Sequence, residues 1–276
     1  MTALYINWDF NDQIISIFGF PLKYYGLLFA SGLLLCMYFL KGIFKAEKLS
    51  SEAHEALFMY GIIGIFVGAR LGHCFFYDFD YYSQHLLEII LPIQKTANGS
   101  YHFIGYAGLA SHGGTLGLLL ALYLYAKKYQ IKYMMILDLI AVVAPLGATF
   151  IRLANLMNSE MIGNPTSMPW AFVFSRIDNE PRHPAQLYEA LAYLMIFITI
   201  FAIYRSKKIK IGKGFYFGFT ITLIFVMRIL IEFVKINQVE FENGMLLNMG
   251  QILSIPFIII GVYFITKSIQ TKKNPL

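Results

Sequence analysis

An apolar stretch of the sequence, FIRLANLMNSEMIG at residues 150–163, contains one arginine, two asparagines and one glutamate. A charged side chain inside a bilayer costs about 2.5 to 3.5 kcal/mol on insertion scales, so each such group needs a partner or a function. The planar guanidinium of Arg152 can bind a phosphate through two parallel hydrogen bonds. We therefore expect this stretch to contact an anionic group that is accessible from the lipid.

Two more segments place reactive groups among apolar residues: SHGGTLG at residues 111–117 and HPAQLYEA at residues 183–190. A lone histidine on an apolar helix is usually a hydrogen-bonded structural residue. His112, however, stands beside a serine and two glycines, which let a ligand or another helix approach the backbone closely. We therefore favour catalysis or substrate contact for His112. Gln186 and Glu189 are three residues apart and share one helix face.

The composition indicates which kind of element carries these groups. The 276-residue chain is 58% hydrophobic and 14% charged, which no soluble core could absorb, so it is predicted to be a polytopic membrane protein. The net charge of +6 is carried by lysines in short loops, and no nucleic-acid partner is expected. Cys36 and Cys74 lie in apolar runs without metal-ligand spacing, so we expect no disulfide, metal or cofactor. No signal peptide is expected at the N-terminus.

Seven apolar stretches are long enough to cross about 30 Å of hydrocarbon, which takes roughly 20 helical residues each. They lie at residues 24–40, 57–77, 104–126, 133–157, 184–204, 214–234 and 247–266. Basic residues concentrate after the first, third and fifth stretches and at the C-terminus, whereas most acidic residues lie in the other loops. Because cytoplasmic loops collect lysine and arginine, we predict an external N-terminus and an internal C-terminus.

We interpret residues 1–276 as a single all-α, seven-helix membrane domain with two larger external segments. Residues 78–101 have the aromatic and apolar pattern of a short helix lying in the membrane interface. Residues 158–183 contain three prolines and are long enough to form a small cap over the outer face.

The charged residues that remain inside the predicted spans indicate a pocket. They are Arg70, Asp138, Arg152, Glu189, Arg228 and Glu232. At 1.5 Å per residue, the arginines lie within roughly 10 to 15 Å of the outer surface, and only Asp138 lies toward the inner side. Pairing of the three arginines with the three acidic residues would be enough to explain why these charges lie inside the spans. Because His112 shares the depth of the arginines, we favour an outer pocket for a phospholipid headgroup.

A transporter of anionic substrates is the alternative function that these residues leave open, since such proteins also place arginines in an outward-open cavity. Transporters usually have paired repeats and broken helices near the midplane. The odd number of dissimilar predicted spans and the off-centre pocket favour a lipid-processing enzyme. A retinal-type receptor is less consistent with the sequence, because no lysine lies in the middle of the seventh stretch.

Four segments resemble, in order and spacing, motifs of the bacterial prolipoprotein diacylglyceryl transferases. They are GLASHGGTLG, RLANLMNSEMIG, HPAQLYEA, and MRILIEFVKINQ followed by NMGQILSIP; KYYGLL and GARLG extend the match. The resemblance implies seven transmembrane helices in the bacterial cytoplasmic (inner) membrane. It also implies a periplasmic N-terminus, a cytoplasmic C-terminus, an interfacial arm, a small periplasmic head, and an active site toward the periplasm.

The resemblance further implies a reaction between two substrates. The diacylglyceryl group of phosphatidylglycerol, a membrane lipid, passes to the thiol of the lipobox cysteine in a prolipoprotein signal peptide. A thioether forms and glycerol phosphate is released, as the first step of lipoprotein maturation. The nucleophile belongs to the substrate, so the cysteines of this chain need not react.

Carried over residue by residue, the resemblance implies two groups of site residues. The catalytic group is His112, Arg228 and Tyr25. The phosphatidylglycerol-binding group is Arg152, Asn155, Asn158, Glu160, Gly163, Gln186 and Glu232, of which the last two match the motifs less decisively, as does Tyr188.

We expect His112 to act as the general base for the thiol, while Arg152 and Arg228 hold the departing phosphate. Asn155, Asn158 and Glu160 would orient those arginines or the glycerol hydroxyls. In a second interpretation, the arginine pair lowers the pKa of the substrate thiol directly and His112 only donates or accepts a hydrogen bond.

Three positions depart from the family pattern. Family members commonly have glycine where this chain has Ile151 and Ala154, and many have tyrosine where it has Ile224. We interpret the first two departures as altered helix packing, and the third leaves no phenol at that position.

Overall fold

Helices make up most of this computed structural model, which describes residues 5–17, 20–96, 98–103, 108–237, 242 and 244–273. The helices in these residues are α1 (Tyr24–Ala46), α2 (Ser51–Phe76), α3 (Phe79–Gln84), α4 (Leu86–Ile90), α5 (Ser111–Lys128), α6 (Tyr133–Met157), α7 (Ala185–Arg205), α8 (Phe215–Glu232) and α9 (Met249–Lys273). Among them, the six helices α1, α2, α6, α7, α8 and α9 are long and apolar enough to cross a membrane. The prediction of a mainly helical, polytopic membrane protein is confirmed.

The helix α5 covers only part of the third predicted span. The predicted start at residue 104 lies outside the described residues, and the described helix has 18 residues that end with two lysines. A seventh span therefore stays a prediction. By contrast, α6 has the predicted bounds, whereas α1 and α9 run past the predicted ends to Ala46 and Lys273. Lysine is a good helix former, so these helices continue into segments that were predicted as loops.

Short strands outside the long helices add to the predicted all-α architecture. In the described residues, β1 (Ile6–Trp8) pairs in parallel with β6 (Phe172–Phe174), which pairs antiparallel with β7 (Pro181–Arg182). Two antiparallel hairpins join β2 (Gln13–Ile17) to β3 (Phe20–Lys23) and β4 (Ile93–Lys95) to β5 (Tyr101–Phe103).

The chain divides into two compact units: residues 1–43 with 137–276, and residues 44–136. In the first unit, α8 and α9 pack with little space between their backbones, since a Cβ on Gly218 would lie 2.5 Å from the Gly261 carbonyl oxygen. In the second unit, α2 and α5 pack equally closely, since a Cβ on Gly68 would lie 2.7 Å from the Gly117 Cα. Small residues therefore set the helix spacing in both units.

The segment 158–183, which the sequence predicts to form a small head, shares one hydrophobic core with the N-terminal strand in the first unit. Phe172 and Phe174 of β6 are buried with Leu156 and Ile162, and Trp8 packs against them. The Trp8 Nε1 donates a hydrogen bond of 3.0 Å to the Leu156 carbonyl oxygen. This core ties the head to the end of α6.

In the second unit, the segment 78–101 contains two short helices, α3 and α4, which are separated at His85. Arg70 of α2 anchors this segment. Its Nε donates to the Ile89 carbonyl oxygen at 3.2 Å, its Nη2 donates to the Glu88 carbonyl oxygen, and its guanidinium lies 4.7 Å from the centre of the Tyr82 ring. Arg70 is therefore satisfied by main-chain carbonyls and an aromatic ring, with no carboxylate among these contacts.

Asp138 has a structural role that the sequence did not reveal. Its side chain is fully buried and accepts main-chain hydrogen bonds from Gly212 at 2.8 Å, Gly214 at 2.9 Å and Phe217 at 2.9 Å. These amides belong to the start of α8 and the turn before it. A helix N-terminus favours negative charge, so Asp138 is stabilised by α8 and not by an arginine.

Candidate active site

The last turns of α6 and the turn that follows form one end of the candidate site. Arg152 and Asn155 are three residues apart on α6, and the Arg152 Nη1 donates to the Asn155 Oδ1 at 3.1 Å. After the helix ends at Met157, Ser159 and Met161 adopt positive φ angles of 56° and 58°. Non-glycine residues rarely adopt this conformation, and it turns the chain sharply on both sides of Glu160.

The Glu160 carboxylate gathers the two asparagines of the motif. Asn155 Nδ2 donates to Glu160 Oε2 at 2.9 Å, and Asn158 Nδ2 donates to Glu160 Oε1 at 2.9 Å. From α7, Gln186 Nε2 donates to the Glu160 carbonyl oxygen at 2.8 Å. Arg152 is therefore joined to Glu160 through a continuous series of hydrogen bonds.

Ion pairs extend from Arg152 in the other direction and form a buried charged network of Arg152, Glu189, Lys235 and Glu232. Arg152 Nε lies 2.8 Å from Glu189 Oε2, and Lys235 Nζ lies 3.4 Å from Glu189 Oε1 and 3.7 Å from Glu232 Oε2. The side chains of Glu189 and Lys235 are only 1% and 3% exposed. At such burial, removing one partner leaves an uncompensated charge and costs about 3 to 5 kcal/mol.

Sequence reasoning missed Lys235 and Tyr193 as members of the site. Lys235 lies directly after the predicted stretch 214–234, although its spacing of three residues from Glu232 was a signal that the two could pair. Tyr193 lies on α7, four residues after Glu189, and its phenol is within interaction range of Arg152, Glu189 and Arg228. Nothing in an apolar helix distinguishes such a tyrosine from one that only packs.

Arg228 of α8 differs from the other cations of the site. Within the described part of the chain, it forms no ion pair, and its buried Nε has no hydrogen-bond acceptor. A buried donor without an acceptor costs about 1 to 3 kcal/mol, and more when it is charged. The Arg228 guanidinium is therefore available for an anionic ligand.

Gly163 lies where two chain segments meet behind the charged network. Its N–H donates to the His183 carbonyl oxygen at 2.9 Å, and a Cβ at this position would lie 2.6 Å from both the His183 and the Val234 carbonyl oxygens. No larger residue fits without moving backbone. Gly163 thus couples the head to the segment that carries Lys235.

An open cleft of about 540 Å³ lies beside Glu160 and Asn158. Tyr25 and Lys23 also line it, so the structure brings Tyr25 together with two residues of the predicted lipid-binding group. The Asn158 Oδ1 is buried without a hydrogen-bond donor among the described residues. The exposed Glu160 carboxylate is the acceptor that the cleft offers to a ligand with hydroxyl groups.

His112 lies in the second unit, at the second residue of α5, and its side chain is exposed. In the first unit, the network and the cleft collect the other predicted site residues: Tyr25, Arg152, Asn155, Asn158, Glu160, Gln186 and Glu232, with Arg228 beside Tyr193. Among the described residues, no group of three His, Cys, Asp or Glu side chains could hold a metal ion.

The spanning helices, the buried charged network and the unpaired Arg228 define a polytopic membrane protein with a candidate site for an anionic ligand. The family model described as prolipoprotein diacylglyceryl transferase matches residues 12–267. This chain belongs to that family.

Relatives resemble the chain over nearly its whole length. A phosphatidylglycerol–prolipoprotein diacylglyceryl transferase of Bacteroides fragilis is 51% identical over 261 residues, which cover 95% of this chain and 94% of the relative. An enzyme of the same name from Chloroherpeton thalassium is 41% identical and covers 98% of this chain and 96% of the relative. Another, from Tolumonas auensis, is 39% identical, with 96% and 98% covered.

Proposed function

We propose that this chain transfers the diacylglyceryl group of phosphatidylglycerol to the lipobox cysteine of prolipoproteins. The family membership and the names of the relatives support this function. The structural observation that carries it is Arg228, whose buried Nε has no hydrogen-bond acceptor and which has no carboxylate partner among the described residues. A phosphate, which can accept two parallel hydrogen bonds from a guanidinium, would supply the acceptor that Arg228 lacks.

The reaction exchanges a carbon–oxygen bond for a carbon–sulfur bond. The substrate thiol loses its proton, and the thiolate attacks the diacylglyceryl carbon that is bonded to the phosphate oxygen. The bonding electron pair leaves with that oxygen as glycerol phosphate. Arg228, supported by Arg152, stabilises the charge that develops on the phosphate in a pocket of low dielectric constant. Glu189 fixes the position of Arg152 through its ion pair at 2.8 Å.

The cleft beside Tyr25 supplies a place for the terminal glycerol of the lipid headgroup. The exposed Glu160 carboxylate is a hydrogen-bond acceptor, and the two free hydroxyls of that glycerol are donors. The arrangement favours a headgroup with hydroxyls beyond its phosphate. Gln186 supports this side of the site through its bond to the Glu160 backbone.

We assign to His112 the role of the general base that accepts the proton of the substrate thiol. An ordinary thiol has a pKa of about 8.5, so a base near neutrality increases the thiolate fraction. Replacing His112 with glutamine keeps hydrogen bonding but removes basicity, and turnover should fall by about 10² to 10⁴-fold. Nearly full turnover of His112→Gln would instead favour the interpretation in which the arginines lower the thiol pKa.

The same proposal includes the placement of the chain in the membrane. We place it in the bacterial inner membrane as one seven-helix domain, with α5 as the remaining span, the N-terminus and the active site on the periplasmic side, and the C-terminus in the cytoplasm. The distribution of basic loop residues supports this orientation. Residues 78–101 then form an interfacial arm, and residues 158–183 form the main part of a periplasmic head.

A reconstituted assay tests the proposed function directly. The purified chain is incubated with phosphatidylglycerol and a lipobox peptide, and the products are separated by mass spectrometry. We expect glycerol phosphate together with a peptide whose mass has increased by one diacylglyceryl group. A peptide whose cysteine is replaced by serine is the control, and its modification to the same extent would contradict thioether formation.

A further inference from the structure

Gly250, at the second residue of α9, lies directly against the carboxylate of Glu232 at the end of α8. A Cβ at position 250 would lie 2.8 Å from the Glu232 Cδ, 2.9 Å from its Oε1 and 3.1 Å from its Oε2. We infer that Gly250 is a positioning residue of the active site: the missing side chain makes the space in which the Glu232 carboxylate is held.

The position of the Glu232 carboxylate matters because this group is the end of a series of ion pairs that leads to Arg152. Glu232 lies 3.7 Å from Lys235, Lys235 lies 3.4 Å from Glu189, and Glu189 lies 2.8 Å from Arg152. The Glu232 side chain is 6% exposed, so solvent offers little compensation if the carboxylate moves. Gly250 therefore acts on Arg152 through the charged network.

The location of Gly250 in the first turn of α9 has a second consequence. The first amides of a helix lack intrahelical acceptors and carry a partial positive charge, which favours a nearby carboxylate. A residue with a side chain would hold the Glu232 carboxylate away from these amides. Glycine leaves room for the carboxylate beside the first turn of α9, where the Met249 amide already donates to Glu242 Oε1 at 3.2 Å, while Glu232 itself is paired only weakly with Lys235 at 3.7 Å.

An alanine at position 250 should displace the carboxylate and leave the helix intact. The nearest atoms to the added Cβ belong to the end of a flexible side chain, so the Glu232 carboxylate moves before any backbone does. Gly42 of α1 provides the matched control, since it is a helical glycine whose added Cβ would meet no atom within 4 Å.

This inference rests on the proposed transferase activity, and kinetics test it in the purified, full-length chain. We expect Gly250→Ala to lower kcat/KM for diacylglyceryl transfer about tenfold or more, since small misplacements of site groups have effects of this size. Gly42→Ala should transfer at the rate of the unsubstituted chain. If the unsubstituted chain transfers and Gly250→Ala equals Gly42→Ala, the inference is overturned while the proposed function stands.

Thermal unfolding in detergent tests the geometry without any activity. With Glu232 present, Gly250→Ala should lower Tm by roughly 3 °C or more because the new methyl group overpacks the carboxylate. In a Glu232→Ala background the obstructing group is gone, and the same substitution should leave Tm unchanged or raise it, since alanine is the better helix former. An equal fall in both backgrounds would show that Gly250 acts independently of Glu232 and would overturn the inference.

Discussion

Arg152 and Arg228 differ in how their guanidinium groups are satisfied. Arg152 is held by the Glu189 carboxylate at 2.8 Å and the Asn155 amide oxygen at 3.1 Å, so its orientation is fixed before any substrate binds. Arg228 has a buried Nε without an acceptor in the described residues. Fixed donors that await a developing negative charge are the usual source of electrostatic catalysis.

Arg228→Gln should separate function from stability. The substitution removes a buried donor that lacks an acceptor, so Tm should stay the same or rise, while transfer falls by about 10²-fold or more because the phosphate loses its cation. Arg152→Gln is the matched comparison: it leaves Glu189 with Lys235 alone and should lower the free energy of unfolding by about 3 kcal/mol. Thermal unfolding and transfer rates of both variants give the answer. An equal loss of Tm in the two variants would contradict the absence of a stabilising partner for Arg228.

At the residue scale, the sequence indicated which groups are unusual but not which groups pair. Arg152, Asn155 and Glu160 were predicted as one polar set because they stand close together in an apolar run, and the hydrogen bonds among them agree with that prediction. Lys235 was overlooked because its partner Glu189 lies 46 residues away on another helix. Pairings of this kind depend on helix packing, which one sequence does not specify.

Within the second unit, the close packing of α2 against α5 fixes the position of the backbone that carries His112. A Cβ on Gly68 would lie 2.7 Å from the Gly117 Cα and even closer to the Gly113 carbonyl oxygen, and Gly113 follows His112 directly. Both obstructing atoms belong to backbone, so an added methyl group forces the helices apart.

Gly68→Ala should therefore destabilise the second unit and displace His112. We expect a loss of about 1 to 3 kcal/mol in the free energy of unfolding together with reduced transfer. Gly61→Ala on the same helix is the control, since its Cβ would only touch Leu118 at 3.9 Å. Unfolding in detergent distinguishes the two variants, and equal stability would argue against tight packing of these helices.

The head should respond to pH in two stages. Burial lowers the pKa of His183 below its usual value of about 6.5, and the Arg182 guanidinium lowers the pKa of Asp178 below its usual value of about 3.9. As pH falls below about 6.5, the unfolded chain binds a proton at His183 more readily than the folded chain, so stability decreases. The Asp178 contribution is complete above about pH 3.9 and is lost as pH falls through its lowered folded value.

Two variants assign these stages when Tm is measured against pH. His183→Gln should remove the decrease that begins near pH 6.5. Asp178→Asn should reduce, but not remove, the decrease below about pH 4, because the contact with Lys23 also lowers the pKa of Asp12. The His183 Nδ1 lies 3.1 Å from the Tyr188 hydroxyl, a contact that the glutamine amide can partly replace. An unchanged Tm profile in His183→Gln would mean that another group titrates in the upper range.

Element boundaries were predictable where an apolar run is long and its ends are marked. The bounds of α6 follow from Lys132 on one side and the polar residues after Met157 on the other. The strands of the described residues escaped prediction because two to five residues are too few to show clear alternation. In addition, β1 pairs with β6, about 165 residues later in the chain, where Ile6 pairs with Phe172. Such pairing is decided by the tertiary fold.

At the scale of the whole molecule, the position of α5 decides the topology. With α5 as a span, residues 78–101 and the turn between α5 and α6 lie on opposite sides of the membrane. Without it, they lie on the same side. The described part of α5 has 18 residues, of which the last two are lysines, so its length and composition do not decide whether it crosses the membrane. The basic turn between α5 and α6, however, favours a cytoplasmic location for that turn.

Labelling of single cysteines in intact cells distinguishes these topologies. Cys36 and Cys74 are first replaced by alanine, and Ser83→Cys or Gln130→Cys is introduced at an exposed position of the arm or of the turn after α5. A maleimide that cannot cross the inner membrane should modify Ser83→Cys when added to cells with a permeable outer membrane. It should modify Gln130→Cys only after the inner membrane is opened, since lysines beside this turn retain it in the cytoplasm. Equal labelling of both positions from outside would place α5 out of the membrane and remove the seventh span.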